Sequence, residues 1–365
     1  MKGDVESMAT KTAYLVLENG TVFTGEAFGK VGEVTGEIVF TTGMTGYLET
    51  LTDPGYYGQI IMQTFPLIGN YGIIPEDFEN KEVFAKAYIV KHLCQEPSNF
   101  RCEGSLDIFL KERGIVGLSG IDTRALTKLI REHGVMNGKI CTSPPTDADS
   151  DEAKKYKVVD AIANVSLKDE HPLIKSQKGN AKYKVALIDF GSKRGIATEL
   201  IERDCEIIAF PHNFKAEDVL AINPDGIMLS NGPGDPSDPA NTPIVEELKK
   251  IVASNKAIFG ICLGHLLLAR ANDYKTKKLK FGHRGSNQPA KDLKSGRAYI
   301  TSQNHGYTVI VDESDKNLSF VNVNDRSCEG MDYGKSFSVQ FHPESRGGPL
   351  DTNFLFDKFI ENMSK

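Results

Sequence analysis

One cysteine in this sequence has surroundings that suit a nucleophile. Residues 256–270 read KAIFGICLGHLLLAR, which places Cys262 between Gly260 and Gly264. The apolar run 257–259 suits a buried strand, and 266–269 continues in an apolar helical pattern. Strand, sharp turn and helix, with the reactive side chain on the turn, make a nucleophile elbow. The glycines let the backbone turn sharply and give neighbouring elements room. A helix that begins just after Cys262 sets partial positive charge beside the sulfur, and the thiolate is the attacking form. Most free cysteines are inert core residues. The Gly-x-Cys-x-Gly frame between strand and helix separates Cys262 from the cysteines at 94, 102, 141, 205 and 328.

Such a nucleophile needs a base and a group that orients the base. Among eight histidines, His342 has the favoured position, at the C-terminal end of the apolar run 337–341. Glu344 lies two residues on, past the stiff Pro343, where its carboxylate can hold the imidazole tautomer. The 80 residues between Cys262 and His342 are no obstacle, since such partners meet in space and not in sequence. His265 falls within the helix after the elbow and is assigned a structural role. His305, in QNHGY at 303–307, is placed on the pocket lining. Acyl transfer also calls for an oxyanion hole. Leu263 supplies the N–H that follows the nucleophile. Gly232, in NGPGD at 231–235, can bring a second N–H close because no side chain blocks it. Nucleotide motifs are missing: there is no GxxxxGK[ST], and GPGDPS at 232–237 fails GxGxxG at its last position.

The elements that must carry these residues follow from the pattern. A chain of 365 residues can bury two cores. It is 40% hydrophobic and 25% charged, as an ordinary globular protein is. The formal net charge of −6 gives no basic footprint for nucleic acid. The cysteines form no CxxC pairs, so neither a metal site nor a disulfide framework is expected. No apolar stretch is long enough to span a membrane and the N-terminus is polar, so a cytoplasmic location is expected. Residues 12–142 read as a small mixed β/α domain. It opens with a hairpin around Asn19-Gly20, has strands at 37–41, 59–63, 85–94 and 139–142, and has helices at 105–113 and 122–133. The polar stretch 143–182 reads as a linker carrying a little helix. From 183 to 365, strands at 184–191, 205–210, 224–230 and 257–259 alternate with helices at 196–203 and 243–254. That alternation predicts an α/β domain on a mostly parallel sheet, with its site beyond the C-terminal strand ends. Strands at 297–301, 307–311, 320–324 and 337–341 and a closing helix at 354–363 complete it.

With GICLGH, NGPGDP and FHPE placed, the second half resembles a class I, triad-type glutamine amidotransferase. In the first half FTTGMTGYLETLTDP, FPLIGNYGI and GLSGIDTRALTKLIREHG resemble the small subunit of carbamoyl-phosphate synthase. DFGSKRGI and SQNHGYTV in the second half do so too. The resemblance implies that glutamine is split into glutamate and ammonia. It implies that ammonia passes through an internal tunnel to a large-subunit partner, which makes carbamoyl phosphate from bicarbonate for pyrimidine or arginine synthesis, or both. ATP and magnesium then belong to that subunit, with no cofactor in this chain. By the family pattern Cys262 attacks the side-chain amide, His342 takes the thiol proton and passes it to the leaving ammonia, and Glu344 orients His342. Gly232 and Leu263 form the oxyanion hole. Lys193, Gly232, Gly234, Asn304, Gly306 and Tyr307 fall where the family contacts glutamine, and Gly43 comes from a contributing loop of the first domain.

Leu266 departs from the pattern, standing where the family reads glutamine in CLGHQ. If it faces the pocket, glutamine binding is expected to weaken, since a polar partner left unpaired costs about 1–3 kcal/mol. Gly195 stands where asparagine is frequent, and 270–273 differ from the usual small-residue run. Two other functions compete: a non-catalytic partner with a decayed site marked by Leu266, and a free-standing cysteine amidohydrolase. The first leaves the intact Cys262, His342 and Glu344 unexplained; the second leaves the N-terminal domain and NGPGDP unexplained.

Overall fold

The computed structural model describes residues 11–168, 173–174 and 181–365. Its contacts divide the chain into two units, each made of separated segments. The first holds the described residues up to Phe40, then Gly58–Pro75 and Ala85–Lys157. The second holds Thr41–Tyr57, Glu76–Phe84 and the described residues from Val158 onward. The sequence pattern assigns one continuous stretch to each domain. It has no periodicity that would mark 41–57 and 76–84 as belonging to the second unit.

The first unit is built on a closed barrel, in the order Thr12–Leu17, Val22–Gly29, Val116–Ser119, Ala87–Ile89, Gln59–Gln63, Val34–Thr41, Met136–Cys141. Asn19-Gly20 makes the expected hairpin, with Val16 opposite Val22 and Gly20 at φ 84°. Helix Thr123–His133 starts where Asp122 accepts the Ala125 N–H at 2.9 Å and ends at Gly134, φ 98°. Its Leu126 and Ile130 are buried and face the core. The polar stretch after the last strand contains helix Asp147–Lys155. Tyr156 beyond it donates to the Gly58 carbonyl at 2.7 Å, so part of this stretch is tied into the first unit.

Among the described residues the second unit carries a ten-stranded sheet. Its centre is parallel, in the order Cys205–Phe210, Tyr183–Ile188, Gly226–Leu229, Ala257–Ile261, Phe337–Val339. These strands are apolar on both faces because helices cover both. Ile227 and Leu229 join one core cluster with Ile258, Leu248 and Leu267. Met228 between them joins another with Phe259, Phe337 and Phe356. Phe259 stacks on Phe337 at 4.4 Å between ring centroids and meets Phe356 of the closing helix Phe354–Met363 edge-on at 5.5 Å. Antiparallel strands Cys328–Asp332, Leu318–Asn322, Lys275–Asp292 and Ala298–Ile310 extend the sheet. The two strands expected at 297–301 and 307–311 are one continuous strand, paired to Lys275–Asp292 with irregular register after Lys278 and Gly285. That partner strand has no signal in the sequence: it is polar, half exposed, and interrupted by Gly282, Gly285 and Pro289.

Candidate active site

The five central strands run in parallel, so their C-terminal ends bring 189–195, 230–235, Cys262 and 340–344 to one edge of the sheet. Cys262 sits between strand Ala257–Ile261 and helix Leu263–Ala271 with φ 53° and ψ −103°, a sparsely populated conformation for a residue with a side chain. Its N–H donates to the Val339 carbonyl at 2.9 Å, and Gly264 N–H donates to the Ser230 carbonyl at 3.0 Å. The flanking glycines are a packing requirement. A Cβ on Gly260 would lie 2.8 Å from the Gly264 oxygen, and one on Gly264 would lie 2.4 Å from the Leu229 oxygen. The elbow predicted from Gly-x-Cys-x-Gly is present, and helix and strand approach too closely for larger residues.

His342 follows strand Phe337–Val339, and its N–H bonds the Ser302 carbonyl at 2.9 Å. Its Nδ1 lies 2.7 Å from Oε1 of Glu344. That hydrogen bond puts the proton on Nδ1 and leaves Nε2 as the basic nitrogen. Nε2 is buried. Burial and Lys193 oppose a charge on the imidazole, but the Glu344 carboxylate and the Cys262 thiol outweigh them and raise its pKa. Glu344 is fully buried, which favours its neutral form, yet Lys193 and His342 pull its pKa below the usual carboxylate range. The Cys262 sulfur also lies 3.5 Å from the Asn304 carbonyl.

A cavity opens beside His342. Its walls include Gly43, Glu49, Asp53, Glu79, Lys193 and Asn304. Asp53 accepts from Asn304 Nδ2 at 3.0 Å, and Asn231 Oδ1 accepts the Lys193 N–H at 3.0 Å. Glu79 accepts the Gly195 N–H at 2.9 Å through Oε2, while its Oε1 is buried without a partner among the described residues. Burial pushes the Glu49 carboxyl up to about 7, with Asp77 and Glu79 adding to the rise.

The sequence itself is similar to proteins of one kind over nearly its whole length. The model for the carbamoyl-phosphate synthase small chain, CPSase domain, matches residues 15–140, and that for glutamine amidotransferase class-I matches 186–362. A carbamoyl phosphate synthase small chain from Clostridium perfringens is 50% identical over 352 residues, covering 96% of this chain and 99% of that one. Another from Fusobacterium nucleatum is 49% identical over 357 residues, covering 96% and 97%. A solved glutamine amidotransferase from Thermotoga maritima aligns with a TM-score of 0.39 at 16% identity, covering 50% of this chain and 84% of that one. This chain belongs to the carbamoyl-phosphate synthase small chain family. The α/β fold with a class I amidotransferase domain is therefore that of the family.

The residues expected from sequence are distributed unevenly around the elbow. Gly43, Lys193, Asn304 and His342 lie on the cavity wall. Gly232 approaches the chain so closely that a Cβ would lie 2.2 Å from the Phe190 oxygen, and Gly234 has φ 100°. Leu263 opens the elbow helix, and an N–H there has no intrahelical partner. Gly306 packs near Arg284, and the Tyr307 carbonyl accepts from His305 Nδ1 at 2.8 Å. Leu266 is 3% exposed and packs in an apolar cluster with Val309, Val321 and Met331, with Tyr307 against it. A leucine fits there because its neighbours are apolar. His265 is buried, with Nδ1 2.8 Å from Ser338 Oγ and its pKa lowered to about 3 by burial, consistent with a structural role. His305 lies off the cavity wall, in a buried network with Gln303, His283, Asn322 and Glu329. Glu49, Asp53 and Glu79 also line the cavity, and the sequence pattern does not single them out. Asp53 sits in the turn-rich LTDPG, which is a weak signal, and nothing around Glu79 marks it.

Proposed function

We propose that this chain is the glutaminase subunit of a carbamoyl-phosphate synthase. Cys262 Sγ attacks the glutamine side-chain amide carbon, and the developing oxyanion is held by the N–H groups of Gly232 and Leu263. His342 takes the thiol proton at Nε2 and delivers it to the departing nitrogen, so ammonia leaves and a thioester remains. Water, deprotonated by His342, then attacks the thioester; glutamate departs and the thiol is restored. Glu344 holds His342 in the tautomer these steps need. Gly43, Gly234, Asn304, Gly306 and Tyr307 surround the glutamine. The ammonia passes to a large subunit that uses ATP, magnesium and bicarbonate, and the carbamoyl phosphate feeds pyrimidine or arginine synthesis.

The observation that carries this reading is the strained Cys262 elbow at the same sheet edge as a buried His342–Glu344 pair, with the Cys262 thiol acting on the His342 imidazole. An intact arrangement of this kind favours catalysis over a purely supporting role. The test is a Cys262→Ala protein in complex with the large subunit. Glutamine-dependent synthesis is expected to vanish while synthesis from added ammonia persists. Unchanged glutamine-dependent synthesis would remove the triad from the mechanism.

A further inference from the structure

We propose that Lys193 is a positioning residue that holds the Glu344 carboxylate against His342, and not a contact to glutamine. The inference rests on the triad reading above. Lys193 Nζ lies 2.8 Å from Glu344 Oε1, the same oxygen that meets His342 Nδ1 at 2.7 Å. One oxygen thus takes both donors, and Glu344 Oε2 has no partner among the described residues. The lysine side chain is 9% exposed and the glutamate side chain 0%.

Charge around the ammonium argues against a ligand role. Glu344, Glu79 and Asp53 all act on Lys193 and, despite its burial, raise its pKa. The ammonium is already engaged by the Glu344 carboxylate, which leaves it poorly placed to take the α-carboxylate of an amino acid. Its backbone is fixed as well. Lys193 precedes helix Arg194–Glu202, and its N–H donates to Asn231. Glu79 ties down the start of that helix, accepting the Arg194 N–H through its carbonyl at 2.9 Å and the Gly195 N–H through its side chain. Gly195 packs closely here, since a Cβ there would lie 3.0 Å from Glu344 Cγ and 3.4 Å from Glu79 Oε2. The segment carrying Glu79 therefore sets the lysine, the lysine sets the glutamate, and the glutamate sets the imidazole.

Without the ammonium, Glu344 is a buried carboxylate with one donor. Burial then favours its protonated form, and a neutral carboxyl does not stabilise the imidazolium formed during turnover. The groups that bear on this titration are His342 and Lys193 directly, Cys262 through His342, and Glu79, Asp53 and Glu49 around the lysine.

The experiment is glutaminase kinetics of the complex with the large subunit, measured across the pH–rate profile. For Lys193→Met, kcat is expected to fall ~10²-fold, in the range of general acid–base contributions. KM should change by less than about 2-fold, as for loss of an interaction made in the transition state. The acid limb should move upward, and Lys193→Arg should recover part of kcat. A raised KM with kcat retained, or no change in either, overturns the proposal. Should Lys193→Met fail to give a wild-type melting profile, Glu79→Gln serves instead. It should lower kcat less and shift the same limb, and an effect on KM alone overturns the role. Cys262→Ala, run alongside, separates the two layers. Hydrolysis surviving in that variant defeats the triad reading, whereas its loss combined with a KM-only effect at Lys193 defeats the positioning role alone.

Discussion

At the scale of single residues, Leu266 shows how packing changes an expectation. Its place in the motif suggested a lost hydrogen bond to glutamine. Its place in the fold is an apolar cluster with Val309, Val321 and Met331. Leu266→Gln is therefore expected to bury an amide with no partner, at a cost of about 1–3 kcal/mol. A lower melting temperature with an unchanged KM for glutamine is the expected result. A lower KM would show that the side chain at this position reaches the ligand after all. The glycines of the elbow make a related point about size. Gly264 carries no side chain because a Cβ there would lie 2.4 Å from the Leu229 oxygen.

At the scale of elements, that close approach ties strand Gly226–Leu229 to the elbow helix, which also bonds through Gly264 N–H to Ser230. Gly264→Ala should force these two elements apart. The expected destabilisation is roughly 2–4 kcal/mol, the range for overpacked or strained sites. Denaturant unfolding checks this: a midpoint equal to wild type would show that helix Leu263–Ala271 can shift without cost. The same element logic explains why the five parallel strands matter. Four of them end in the segments that carry Lys193, Gly232, Cys262 and His342, so these residues share one sheet edge although they are scattered over the second half of the sequence.

At the scale of the whole molecule, a second buried cluster of ionisable groups is expected to contribute to stability. His283 lies between Asp325 at 2.8 Å and Glu329 at 3.3 Å, with the His305 ring edge-on at 4.9 Å between centroids. Burial lowers its pKa, but the two carboxylates dominate and raise it to about 9. A raised histidine stabilises the fold fully below its unfolded pKa of about 6.5, and that stability is lost as pH rises through about 9. The stability gap between wild type and His283→Gln should thus be wide near pH 6.5 and close above about pH 9. Melting temperatures across that window test it; a gap that stays constant with pH would mean that His283 is held by packing alone.

What was legible in the sequence was local. Asn19-Gly20 announced its hairpin, Asp122 and Gly134 bounded their helix, and Gly-x-Cys-x-Gly announced the elbow, because each is a backbone requirement expressed within a few residues. His342 and Glu344 were legible because strand end, imidazole and carboxylate follow one another directly. The strand Lys275–Asp292 was hidden, since a polar, half-exposed strand has no apolar alternation to betray it. The sequence by itself thus determined the Cys262 elbow, the His342–Glu344 pair at a strand end and the parallel sheet that carries them. The tertiary structure decided that segments 41–57 and 76–84 join the second unit, that Leu266 packs in an apolar cluster, and that Lys193 meets Glu344 beside Glu79. Burial and ion pairing between residues far apart in the chain depend on how the whole folds, and no local pattern encodes them.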